Sequence, residues 1–71
     1  MNPLIILELP HQTPNGMYRA VVWDREKFEC LDIIEACTFT EAAVLAVEFH
    51  PSAELSDAAS EQLHEEQLVA A

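Results

Sequence analysis

Cys30, Cys37, His50 and His64 are the side chains whose types suit nucleophilic or metal chemistry in this 71-residue chain. Zinc centres draw on close ligand pairs such as Cys-x2-Cys or His-x3-His, and neither spacing occurs here. Glu61-Gln62-Leu63-His64 matches the Glu-x-x-His unit of di-iron helical bundles. That site needs a second such unit and two further glutamates on neighbouring helices; Glu48 and a dimer partner would have to supply them, and a chain with three predicted strands makes no bundle. A cysteine nucleophile needs a depressed thiol pKa, and neither cysteine has a basic neighbour. Cys37 stands just before a helix start and reads as a small core residue. Gly16 is the only glycine, so no glycine-rich loop can cradle a phosphate. The chain is expected to be no enzyme and to use no cofactor or metal.

The carboxylates are the stronger signal. The chain holds 13 Asp and Glu against 3 Lys and Arg, for a net charge of −10. Residues 1–27 balance Glu8, Asp24 and Glu26 against Arg19, Arg25 and Lys27; beyond Lys27 no base remains. A surface of one sign repels nucleic acid and acidic membranes and attracts cationic partners. Tyr18, Arg19, Trp23, Arg25, Lys27 and Phe28 resemble a stacking, basic strand surface, but the carboxylate excess opposes phosphate binding. Arg19 and Trp23 share a strand face and could form a cation–π contact, with core packing the default for Trp23.

The elements that must carry these charges follow from pattern. Leu4 to Leu9, between Pro3 and Pro10, reads as a strand; Asn15-Gly16 marks a turn; Met17 to Trp23 and Phe28 to Ala36 read as two further strands. On the second strand, Tyr18, Ala20 and Val22 share one face and Arg19, Val21 and Trp23 the other. Thr38-Phe39-Thr40-Glu41 fits a capping box, and Pro51 stops the helix near His50. This helix is apolar almost all round, which predicts burial on most sides. From about residue 53 a second helix is expected, with Leu55, Ala59 and Leu63 on one side and Glu54, Asp57, Glu61 and Glu65 forming an acidic ridge on the other; a frayed acidic tail is the competing reading. The predicted fold is α+β: a three-stranded antiparallel meander covered by helix 39–50, forming a core domain over 1–51, with 52–71 as an acidic C-terminal helix or tail.

Asp32-Ile33-Ile34-Glu35-Ala36-Cys37-Thr38, running into Thr40-Glu41-Ala42-Ala43 after three strands, resembles the small domain of HicB-like antitoxins over residues 17–49. That resemblance implies a neutraliser of a small basic toxin. By smallness, acidity and lack of a catalytic motif, the chain also resembles phage-encoded inhibitors of the anti-CRISPR and DNA-mimic type. It implies occupation of a cationic site on a nucleic-acid-binding host enzyme.

Glu54, Asp57, Glu61 and Glu65 are therefore the first contact candidates, and Glu29, Asp32, Glu35, Glu41 and Glu48 the next. Like charges at i,i+4 weaken an isolated helix, so helix stability does not explain the ridge; a merely solvated face is the plain alternative. A third possibility is a structural homodimer that buries the second sheet face, including Leu4, Ile6 and Val21. No basic leader or membrane-length apolar run is visible, which with the two unframed cysteines predicts a cytoplasmic protein of the host cell.

Overall fold

The computed structural model describes residues 2–70. Four branched apolar residues and a closing glutamate make β1, Leu4–Glu8. Pro10 lacks the N–H a ladder needs and ends it, opening a single 3-10 turn over Pro10–Gln12. Gly16 takes φ +71°, the left-handed conformation that turns the chain into β2, Tyr18–Asp24. Asp24 Oδ1 accepts from the backbone N–H groups of Glu26 and Lys27 at 2.9 and 3.1 Å, closing the reversal into β3, Glu29–Ala36.

These three strands form the expected antiparallel meander. Ile5 pairs with Val22, Ile6 with Val21, and Val21 in turn with Ile33. A bulge leaves Leu31 without an opposite residue, since Val22 faces Asp32 while Trp23 faces Cys30. The sheet nevertheless has four strands, in the order β3-β2-β1-β4, and one of its pairings is parallel. The added strand β4, Glu54–Leu55, runs parallel to β1, with Glu54 N donating to Pro3 O at 2.8 Å and Ser56 N to Ile5 O at 3.0 Å. Two residues are too few to show an alternating pattern, which is why the sequence reads this segment as the start of a helix.

Helix α1, Phe39–Phe49, provides the crossover between β3 and β4. It buries Phe39, Ala42, Ala43 and Ala46 against the sheet. Burial stops there: Val44 is 53% and Phe49 67% exposed, and Leu45 and Val47 are also open to solvent. The expectation of a helix buried on most sides is corrected, because the helices form one layer on one face of a four-stranded sheet and no described residue packs above that layer. Helix α2, Asp57–Ala70, begins after Ser56, whose Oγ accepts from Ala59 N at 3.3 Å. It packs beside α1 on the same sheet face, with Ala59 fully buried and Leu63 packed against the core. The tail alternative falls away for these residues. Phe39, Ile5 and Val22 are the large side chains at the centre; the remaining core positions are alanines.

Candidate functional site

The fold sorts the carboxylates into those it uses and those it leaves in solvent. On β3, Glu35 accepts from Arg19 at 2.9 and 3.3 Å, and the same guanidinium reaches Glu8 on β1 at 3.4 Å. Hydrogen bonding from Arg19 holds the Glu35 carboxyl below its usual range, and Glu35 in turn raises Arg19. Arg19 is thereby committed across three strands to two glutamates. Asp32 lies on the helix-covered face and meets His50 Nε2 at 3.1 Å, joining β3 to the C-terminal end of α1. Glu54 is taken out of the acidic ridge by its strand, where Arg25 bonds it at 2.7 Å while also capping the carbonyl of Asn2. Glu35, Asp32 and Glu54, all contact candidates by sequence, are thus already partnered within the fold.

Glu66 is the carboxylate that sequence reasoning placed in no role. It faces inward from α2 and receives the backbone N–H groups of Phe39 and Thr40 at 3.0 and 2.7 Å, the Thr40 hydroxyl at 2.6 Å and the Gln62 amide at 3.0 Å. These are N–H groups that the first turn of any helix leaves without an internal partner. Thr38 Oγ1 accepts from Glu41 N at 3.2 Å, so Thr38 is the N-cap as read from sequence. The Glu41 carboxylate does not close the box. It stays exposed, and Glu66 from another helix supplies the negative charge instead. Partial burial pushes the Glu66 carboxyl up, but the bonds from Gln62, Thr40 and Phe39 outweigh it and hold the group below its ordinary value. No local signal could reveal this pairing, because the partners are separated by 27 positions in the chain.

Glu29, Glu41, Glu48, Asp57, Glu61 and Glu65 are exposed and their carboxylates make no hydrogen bond or ion pair among the described residues. Apart from Glu29, at the start of β3, all belong to the two helices. At about 100° per residue, Asp57, Glu61 and Glu65 fall within roughly 80° of arc on the solvent side of α2, so the ridge exists without Glu54. Glu41 and Glu48 occupy the outward side of α1. Between the helices runs an open groove of about 340 Å³, lined by Thr40, Ala43, Val44, Val47, Glu48, Leu55, Leu63 and Gln67. Its floor is apolar and Glu48 stands on its rim.

Other sequence candidates are not brought together. Cys30 and Cys37 are both free and exposed, so Cys37 is not the core residue expected; it lies past the end of β3, where no element covers it. Trp23 lies on the uncovered side of the sheet and is only partly buried, outside the core cluster. Among the described residues no group of three or more His, Cys, Asp or Glu is placed to hold a metal ion, and no helix is long and apolar enough to cross a membrane. No model of a known protein family, no curated protein and no solved structure matches the chain.

Proposed function

We propose that the chain is a binding protein without catalysis of its own, which inhibits a nucleic-acid-binding partner by covering its cationic surface with the helical layer. The observation that carries this reading is the sorting of charge. Nearly every carboxylate without a structural role is on α1 or α2, and the chain's three bases all lie outside those helices. Asp57, Glu61 and Glu65 rise by about 6 Å per step along α2, which suits a groove that normally tracks a phosphate backbone. The groove between the helices adds apolar contact at Val44, Val47 and Leu63, so binding need not rest on exposed charge alone, which is worth little per pair.

The test uses the tagged protein and a folded variant carrying Asp57→Lys, Glu61→Lys and Glu65→Lys as baits in an extract of the native host. The wild-type chain is expected to retain a basic nucleic-acid-binding protein, to release it to added duplex DNA or RNA, and to bind it more slowly as salt rises. Equal retention by the charge-reversed variant would overturn the proposal.

The antitoxin reading stands second. Three consecutive strands followed by a helix is the order its resemblance implies, and that order is present; Glu35-Ala36 replaces the Pro-Gly that family carries before its helix. A retained partner that is itself a small basic toxin, encoded beside this chain, distinguishes it.

A further inference from the structure

The two faces of the sheet differ in charge as well as in cover. Both helices pack over Ile5, Ala20 and Val22. Alternation along the paired strands places Leu4, Ile6, Val21, Trp23 and Ile33 on the opposite face, each partly or largely exposed. An antiparallel sheet that turns one side to water ordinarily carries polar residues there. This one is polar only at its ends. Arg19 lies between Glu8 and Glu35 at one end, and Arg25 pairs with Glu54, which is level with Leu4, at the other. Both arginines of the chain therefore flank the apolar patch with their glutamates already paired, while the unpaired carboxylates, Glu29 at the end of β3 apart, lie on the helices.

We propose that this face binds a second copy of the chain, sheet against sheet, in a two-fold dimer. Charge selects the occupant. Two copies at −10 each repel wherever their helical layers approach; the sheet face alone offers apolar contact between nearly balanced charges. A two-fold axis lying across the strands sets the Arg19 cluster of one copy over the Arg25–Glu54 pair of the other, so the ends are self-complementary. A cationic partner has no unpaired carboxylate to choose on this face. The core argues the same way. It is built mainly from alanines around Phe39, Ile5 and Val22, whereas a tryptophan and several branched side chains lie outside it. Domains this small commonly make up a thin core by association.

Trp23 is the only tryptophan and sits in the proposed interface, so the unmodified protein reports on itself. Sedimentation through a dilution series should show mass falling from two chains of 8.0 kDa to one, with Trp23 emission shifting to the red over the same concentrations. Val21→Glu, at the patch centre, should weaken association roughly a hundredfold or more, since it places a carboxylate in a closed apolar contact. Phe49→Glu, at the exposed end of α1 and outside the groove, should leave it unchanged. A single-chain mass at every concentration overturns the proposal, as does dissociation that leaves Trp23 emission unmoved or a Val21→Glu protein that still pairs. If Val21→Glu does not fold, the wild-type dilution series decides alone. The outcome is independent of which partner the helical layer binds.

Discussion

Glu66 shows how a single carboxylate in an acidic chain can be structural rather than functional. Its two oxygens meet the start of α1 from across the helix pair, joining α2 to the crossover helix at the point where backbone N–H groups concentrate positive charge. Glu66→Gln keeps the shape but loses the charge and one acceptor, and should lower stability by about 1–2 kcal/mol at neutral pH, read as a shift in urea midpoint. The sign of the pH dependence follows from the depressed carboxyl. Its contribution is complete above the ordinary value of 4.5 and is lost as pH falls through the lower folded value. The gap between wild type and Glu66→Gln should therefore close on acidification below pH 4.5; a gap that persists in acid would mean the charge is not what Glu66 supplies. Phe28 makes the opposite case. It adopts φ +55° in the β2–β3 reversal while 76% exposed, so it bears the cost of a left-handed backbone with little packing in return. Phe28→Gly should raise stability by about 1 kcal/mol in thermal or urea unfolding.

At the scale of elements, α1 is set by both its ends. Thr38 accepts from Glu41 N at one end and His50 reaches Asp32 at the other. Thr38→Ala should cost about 0.5–2 kcal/mol without changing the far-ultraviolet circular dichroism of the folded protein. An unaltered urea midpoint would show that Glu66 alone satisfies the helix start. Helix α2 has the reverse character: its repeated carboxylates oppose helix formation, and Ala59, Leu63 and the Glu66 bonds hold it in place. The local preference of residues 57–70 is weak and their tertiary contacts decide. The same holds for β4, whose two residues are a strand only because β1 offers an open edge.

For the whole molecule, charge separation is the governing property. The Arg19 and Arg25 pairs lie at the ends of the uncovered sheet face and, Glu29 apart, the carboxylates without a partner lie on the helices, which is the division of surface on which both proposals rest. Self-repulsion among the unpaired carboxylates should make the fold more stable as salt rises from very low levels to about 0.15 M, where charges beyond about 8 Å are screened. The exposed Arg19 and Arg25 pairs weaken over the same range but contribute little. A urea midpoint that falls on adding salt would contradict this balance. The protein should also show no mobility shift with DNA or RNA at moderate salt, because no base is placed on the helical layer to release counterions.

The meander, the start of α1 at Thr38, its stop before Pro51 and the two faces of β2 were legible in the sequence because each depends on neighbours: alternation, an N-cap, a missing N–H. The ridge of Asp57, Glu61 and Glu65 was legible for the same reason, as helical spacing is local. Tertiary structure alone decided which carboxylates are free. Arg19 selects Glu8 and Glu35, Arg25 selects Glu54, His50 selects Asp32, and the N-terminus of α1 selects Glu66. It also decided that Glu54 and Leu55 extend the sheet and that one sheet face stays bare. Ion pairs and edge pairings join residues far apart in the chain, and their partners are chosen by how the layers pack, which no window of sequence contains.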